Sequence, residues 1–204
     1  MPPSTNSKER ATVWLKPDQV TAMRNAIVSA SPSILKQRND AIIQTLYDTG
    51  LRVGEVVQVD VDHLQLDEGV LALSADVQKD YPTERSPTYT EIELAAETVR
   101  VLDQYLTSRW KQSPALFPST HADRMSKQAV RNVVKKAAVE SGIEPFTVNG
   151  RSGPEQVSPH TLRHSVAYRM LNHEEGNTLY DVRNRLRHST IQTTEFIYDH
   201  FDRV

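Results

Sequence analysis

None of the 204 residues is cysteine. This absence excludes disulfides, thiolate metal sites and a cysteine nucleophile. No apolar run approaches the length of a membrane span, so we expect no membrane partner. The first ten residues, MPPSTNSKER, lack the apolar stretch of a secretory signal. These absences fit a cytoplasmic protein, and the cytoplasm is the location that we expect.

Acidic and basic residues are unevenly distributed along the chain. The formal net charge is −2 and the sequence pI is about 6.4, which alone argues against nucleic-acid binding. Residues 60–103 hold eleven acidic and three basic residues, whereas residues 124–136 hold five basic residues and no acidic one. Such segregation can place a positive face against phosphate and an acidic face in solvent. The alternative, that the basic runs are solvated helix faces, fits the charges equally well.

The apolar pattern predicts one mostly helical domain with a small antiparallel sheet. Alternating apolar residues on both sides of Asp67-Glu68-Gly69 predict a β-hairpin, and residues 90–94 predict a third strand. Helices are predicted over 18–29, 33–49, 53–59, 95–109, 126–141, 158–172, 178–187 and 193–201, with 143–157 as a Pro/Gly-rich loop. Residues 1–13 predict a disordered leader before a single domain over 14–204. The expected fold class is α+β, mainly α.

The segment Ser158-Pro-His-Thr-Leu-Arg-His164 has the composition of an anion site. Ser158 as N-cap, followed by proline, predicts the start of a helix. His160 and Arg163 share a face of its first turns, where backbone N–H groups and the helix dipole favour an anion. A cation and a titratable ring at this place suit a phosphate. The alternative is that His160 is an ordinary capping or surface residue.

Two further cations stand in connections between predicted elements. Arg52 lies in TGLRVGE with a glycine on either side, and its guanidinium group can offer a planar fork to phosphate oxygens. The alternative is that Arg52 pairs with Glu55 or with a helix terminus. Lys79 follows the hairpin in a polar loop and could act as a general acid. The alternative is that Lys79 is an exposed loop lysine.

His188 is followed ten residues later by Tyr198. Tyrosine, with a pKa of about 10, is a useful nucleophile only where cations and a general base favour the phenolate. The alternative is that Tyr198 closes the core with an amphipathic side chain. Taken together, two arginines, a lysine, two histidines and a tyrosine predict a phosphoryl-transfer site that needs no metal and no other cofactor.

These motifs resemble the catalytic domain of the tyrosine recombinase, or phage integrase, family. The resemblance covers about residues 14–200 and rests on TGLRVGE, the strand-flanked lysine, SPHTLRHS and LRHSTIQTTEFIY. It implies a site-specific recombinase that cuts one DNA strand through a 3′-phosphotyrosyl link and rejoins it without ATP. The side chains that it implies as catalytic are Arg52, Lys79, His160, Arg163, His188 and Tyr198.

The resemblance also implies a role for each of these groups. The two arginines would bind the non-bridging oxygens, and the lysine would protonate the leaving 5′ oxygen. His160 would assist deprotonation of the tyrosine, and His188 would hydrogen-bond the phosphate. The segment 126–136 matches a helix that enters the DNA major groove in this family. Its candidate phosphate and base contacts are Ser126, Lys127, Gln128, Arg131 and Lys135. The implied partner is double-stranded DNA, bound by an oligomer, with accessory DNA-binding factors as further candidates.

Four features depart from the family pattern. The interval from His188 to Tyr198 is one residue longer than usual, so the phenol points about 100° away unless the linker absorbs the extra residue. Arg187 replaces the small residue that commonly precedes this histidine. An N-terminal DNA-clamping domain is expected to be absent. With six residues after Tyr198, a C-terminal tail exchanged between protomers is not expected.

These departures leave the fold prediction intact but weaken the expectation of self-sufficient recombination. Two alternatives therefore stay open. A non-catalytic DNA-binding relative would bind a specific site without cleaving it, and its binding would not depend on the tyrosine. An enzyme resembling type IB topoisomerases would relax supercoils without a specific site.

Overall fold

The computed structural model describes residues 13–78 and 89–201. Within these ranges the helices are α1 (Pro17–Ala30), α2 (Lys36–Thr49), α3 (Val53–Val56), α4 (Ala96–Thr107), α5 (Lys127–Ser141), α6 (Pro159–Asn172), α7 (Leu179–Leu186) and α8 (Ile191–Tyr198). The strands are β1 (Val13–Trp14), β2 (Leu64–Gln65), β3 (Val70–Ser74), β4 (Tyr89–Glu93), β5 (Phe146–Thr147) and β6 (Gly150–Arg151). The predicted class, α+β and mainly α, is confirmed.

Local signals in the sequence set most helix ends. Gly50 and Gly142 end α2 and α5 with φ values of 63° and 62°, in the left-handed region that favours glycine. The Ser158 hydroxyl accepts the N–H of Thr161 and starts α6. Several predicted helices are shorter in the structure than expected. Residues 33–35 form a 3₁₀ turn before α2, the helix predicted over 53–59 ends at Val56, and residues 199–201 form a 3₁₀ turn after α8.

The predicted three-stranded sheet is present, in the order β2-β3-β4. All its neighbours are antiparallel, with Leu64 opposite Leu71 and Leu71 opposite Ile92. The hairpin turns at Gly69, whose φ of 67° suits a residue without a Cβ atom. Lys79, which follows β3 in the sequence, lies outside the described residues.

A second three-stranded sheet corrects the prediction that residues 143–157 form only a loop. Its order is β1-β5-β6, and Trp14 pairs with Phe146 across the first two strands. Val13 belongs to β1, so the strand begins inside the segment predicted as a leader; residues 1–12 of that segment lie outside the described residues. The Trp14 ring also contacts the Phe201 ring, with centroids 4.9 Å apart. The strand β1 therefore packs beside the 3₁₀ turn that follows α8.

Two apolar clusters organise the interior. The larger one lies among α1, α2, α4, α5 and the first sheet, and α2 is buried on nearly all sides because it packs on α1, α4 and α6. The smaller one joins α6, α7 and α8 and includes Val166, Leu186, Tyr198 and Phe201. Of the helices in the described ranges, none has both the length and the apolar character needed to cross a membrane.

Candidate active site

A cleft of about 330 Å³ opens where the loop between α2 and α3 meets the first turns of α6 and α5. The loop supplies Arg52, and α6 supplies His160 and Arg163. Helix α5 adds Lys127 and Arg131. Three of the six predicted catalytic residues thus meet at one polar cleft, although Arg52 lies more than 100 positions before the other two. Four of the five are arginine or lysine, so the cleft offers a concentration of positive charge.

Arg163 is held in place by the backbone of two other segments. Its side chain is buried, with 1% exposed. The guanidinium group donates to the carbonyl oxygens of Gly50 and Leu186, which ties the Arg52 loop to the end of α7. Burial, and then the nearby Arg52 and Arg187, lower its pKa to about 9. Because a guanidinium group has five N–H donors, the two carbonyls leave others for an anion in the cleft.

Arg52 pairs with Glu55, as one of its two sequence interpretations held. Its backbone N–H donates to Glu55 Oε2 at 2.7 Å, and its Nη1 lies 3.3 Å from Glu55 Oε1. The side chain nevertheless lines the cleft and is 29% exposed. Burial opposes ionisation of Glu55, but Arg187, Arg52 and Arg163 together outweigh it and lower the pKa of the carboxyl. Glu55 is therefore an anion that orients Arg52 from behind.

His160 is exposed on the cleft, at the first turn of α6. Desolvation of the ring by the surrounding protein, and then the charges of Arg163 and Arg52, lower the pKa of His160. The ring is therefore neutral at pH 7 and able to accept a proton. It lies against the His164 ring, with centroids 4.3 Å apart.

Tyr198 lies behind the cleft wall rather than in it. Its side chain is 1% exposed, and its hydroxyl is 3.1 Å from His164 Nδ1. The His188 ring is stacked on it at 5.9 Å and 9°, and Phe201 packs on it as well. The cleft lining among the described residues does not include Tyr198. As the alternative interpretation held, the tyrosine closes a core, yet it also adjoins the predicted histidine.

Burial dominates the acidity of this phenol. It raises the pKa of Tyr198 to about 12, although Arg163 and then Arg52 act to lower it. The charges of the two arginines thus oppose the effect of burial on this phenol without overcoming it. The expected activation is not realised in this conformation, because the ring is out of water. An enzyme that uses this phenol must first move it.

His188 is oriented by Thr194 from the first turn of α8. Its Nδ1 lies 2.9 Å from the Thr194 hydroxyl, and Thr194 is fully buried. If that hydroxyl donates to Nδ1, the ring proton is on Nε2. Burial, and then Arg163 and Arg52, lower the pKa of His188 to about 2, so the ring is neutral at pH 7.

The predicted DNA contacts share the exposed side of α5. Val130, Val133 and Val134 bury the opposite side of this helix in the core. The five predicted contacts are exposed: Ser126, Lys127, Gln128, Arg131 and Lys135. Ser126 also caps the helix by accepting the N–H of Ala129. Since Lys127 and Arg131 line the cleft as well, the basic helix face is continuous with the site.

Sequence reasoning missed three residues that shape the site. His164 contacts the tyrosine, and its position four residues after His160 on the same helix was a usable signal. Thr194 orients His188 from within the quoted motif. Arg187 was noted as a departure, but its contact with Glu55 spans 132 positions, and no local pattern indicates it.

Comparison with known proteins places these features in a family. The model of the phage integrase family matches residues 13–203. The chain is 32% identical over 190 residues to tyrosine recombinase XerD of Haemophilus ducreyi, a match covering 91% of the chain and 57% of that protein. It is 31% identical over 194 residues to XerD of Listeria innocua, covering 92% and 57%. The chain thus spans a little over half the length of these curated relatives.

Solved structures share the fold. The crystal structure of XerA recombinase matches with a TM-score of 0.71 and 23% identity, over 94% of this chain and 60% of that one. XerH recombinase bound to a palindromic difH substrate, in a post-cleavage complex, matches with a TM-score of 0.71 and 20% identity, over 98% and 52%. At these identities the likeness establishes the architecture, and the chemistry has to be argued from the residues.

Proposed function

The chain belongs to the phage integrase family, and we propose that it cleaves and rejoins DNA at a specific site through a covalent link to Tyr198. The observation that carries this proposal is the cleft in which Arg52, Arg163 and His160 meet, with Tyr198 and His188 directly behind it. We propose residues 14–204 as the catalytic domain. Because the proposed substrate is DNA, we propose the cytoplasm as the location of this activity.

The proposed reaction is a transesterification. The Tyr198 oxygen bonds to phosphorus while the bond from phosphorus to the 5′ oxygen breaks, so a 3′-phosphotyrosyl link and a 5′ hydroxyl form. Arg52 and Arg163 stabilise the charge on the non-bridging oxygens. A neutral histidine takes the phenol proton, and Lys79 gives a proton to the 5′ oxygen. Attack by a 5′ hydroxyl reverses the step and needs no other energy source.

Duplex DNA would lie along the exposed face of α5. Lys127 and Arg131 would neutralise phosphates next to the scissile one, while Gln128 and Lys135 would reach the groove or the neighbouring backbone. Exchange between two duplexes needs more than one such site, so we propose an oligomer on DNA.

Cleavage also requires α8 to move. The phenol is buried and hydrogen-bonded to His164, whereas the cations face the cleft. In the proposed cycle, DNA binding moves Tyr198 out of the smaller apolar cluster and towards the phosphate. The short linker between α7 and α8 is the natural hinge for this movement.

Covalent capture from a random pool of duplexes tests the proposal for any target sequence. The purified chain is incubated with labelled duplexes that carry a randomised central segment and a nick, because a nick lets the short fragment that bears the new 5′ hydroxyl diffuse away and so traps the covalent link. We expect a labelled adduct that survives denaturing electrophoresis, enriched for one sequence. Tyr198→Phe should give none.

Other outcomes would redirect the assignment. An adduct that persists in Tyr198→Phe would exclude this nucleophile. Enrichment of one sequence by binding, without any adduct, would favour the non-catalytic relative. Relaxation of a supercoiled plasmid without sequence enrichment would favour a topoisomerase-like enzyme.

A further inference from the structure

Arg187 ends α7 in the left-handed backbone region, with φ 54° and ψ 47°. Among the described residues it is the one non-glycine residue with a positive φ. The conformation favours glycine because a Cβ atom crowds the next carbonyl oxygen. A specific buried contact by the side chain can offset such strain.

The side chain makes a contact of this kind. Its Nη2 lies 2.8 Å from Glu55 Oε2, and the two side chains are 4% and 1% exposed. Its Nη1 donates to the carbonyl oxygen of Arg185 at 3.3 Å. The pair joins the residue before His188 to the first turn of α3, so two separate motifs of the site share one buried ion pair.

Glu55 is the carboxylate that also holds Arg52. Its Oε2 accepts both the Arg187 guanidinium group and the Arg52 backbone N–H, while its Oε1 faces Arg52 Nη1. A buried carboxylate without sufficient counter-charge would compete with a substrate phosphate for the Arg52 side chain.

Arg187 supplies that counter-charge. It is the leading group that opposes the effect of burial on the Glu55 carboxyl. Its charge also lowers the pKa of Arg163 and of His188, although burial and the charge of Arg52 have larger effects in both cases. The guanidinium groups of Arg52, Arg163 and Arg187 and the Glu55 carboxylate together carry two net positive charges. Without Arg187 the remaining three groups would carry one.

We propose that Arg187 is a positioning residue that neutralises Glu55, so that Arg52, although held by this carboxylate, keeps guanidinium donors available for the scissile phosphate. The inference rests on the proposed function and concerns the same site. Because Arg187 is buried away from the exposed face of α5, it should affect the chemical step more than DNA binding.

The decisive experiment combines Arg187→Gly with Glu55→Gln. Glycine suits the backbone and removes only the side chain, and glutamine keeps an oxygen for the Arg52 N–H while losing the charge. With the captured nicked duplex at saturating protein, Arg187→Gly should slow single-turnover cleavage by about 10- to 100-fold. Its Kd for that duplex should change less than about threefold. The double variant should cleave faster than Arg187→Gly alone.

Two further variants serve as matched controls. Arg187→Lys keeps a positive charge near Glu55 and should recover part of the rate. Arg183→Ala removes an arginine from the same helix and should cleave like the wild type. Wild-type cleavage by Arg187→Gly, a double variant slower than the single one, or equal losses in Arg183→Ala and Arg187→Gly would each overturn the inference.

A readout independent of cleavage separates this inference from the proposed function. In protein with ¹³C-labelled glutamate, the Glu55 carboxyl signal is identified by its loss in Glu55→Gln. Its titration should move to higher pH in Arg187→Gly. An unshifted titration refutes the inference, whereas a wild-type chain that captures no duplex refutes the proposed function.

Discussion

The buried state of Tyr198 predicts a specific loss of stability in alkali. Its hydroxyl has a pKa of about 12 in the folded chain and about 10 when unfolded. The folded state therefore holds the proton more tightly, so stability is complete below pH 10 and is lost as the pH rises from 10 to 12. At pH 11 the loss from this one group is about 1.4 kcal/mol, and about 2.7 kcal/mol at completion.

Urea unfolding of the wild type and of Tyr198→Phe at pH 8 and pH 11 measures this loss. Phenylalanine cannot titrate, and it should cost about 1–2 kcal/mol at pH 8 because His164 loses its hydrogen bond. The difference between the unfolding free energies of the two proteins should then be about 1.4 kcal/mol smaller at pH 11 than at pH 8. Tyr105, whose pKa burial also raises to about 12, titrates in both proteins and cancels.

If the difference in unfolding free energy stays constant from pH 8 to pH 11, the Tyr198 hydroxyl titrates like an exposed phenol. The tyrosine would then not be stored in the small core, and the proposed movement of α8 would lose its basis. Tyrosinate absorbance near 295 nm provides a second readout, because the wild type should contain one more late-titrating phenol than the variant.

Three further predictions follow from single contacts. Gly50→Ala should lower the melting temperature by about 2–6 °C in calorimetry, since φ is 63° and the new Cβ would overlap a side chain of α7; an unchanged value would contradict this strain. Lys127→Ala and Arg131→Ala should each reduce the slope of log affinity against log salt by about 1 in anisotropy with a duplex of about 30 base pairs, and unaltered slopes would exclude phosphate contacts. Thr194→Val should slow cleavage about tenfold by releasing His188, while Thr194→Ser, which keeps the hydroxyl, should not; equal rates would refute this role.

The sequence predicted those parts of the fold that depend on neighbouring residues. Helix ends at Gly50, Gly142 and Ser158, and the hairpin at Gly69, follow from turn and cap chemistry that operates within a few residues. The second sheet could not be predicted in this way. Its two-residue strands carry no periodicity, and β1 pairs with β5 across more than 130 positions.

The candidate site shows the same division. Arg52, His160 and Arg163 were grouped correctly because their motifs are local and the family order is specific. The place of Tyr198 was not predictable, since it depends on how α8 packs against α6. The Arg187 conformation depends likewise on a distant carboxylate. Roles assigned to Lys79 remain predictions, because that residue lies outside the described ranges.

The energy needed to release Tyr198 has a consequence for specificity. Exposing a buried ring and breaking its hydrogen bond to His164 costs about 3–4 kcal/mol, so only about one chain in several hundred would present the phenol unaided. Specific protein–DNA complexes typically exceed non-specific ones by about 4–10 kcal/mol. The cost is therefore no larger than the additional binding free energy that a correct site supplies over a random one. A stored nucleophile beside a preformed guanidinium cleft would let the chain bind many sequences through α5, yet cut only where the full set of contacts moves α8.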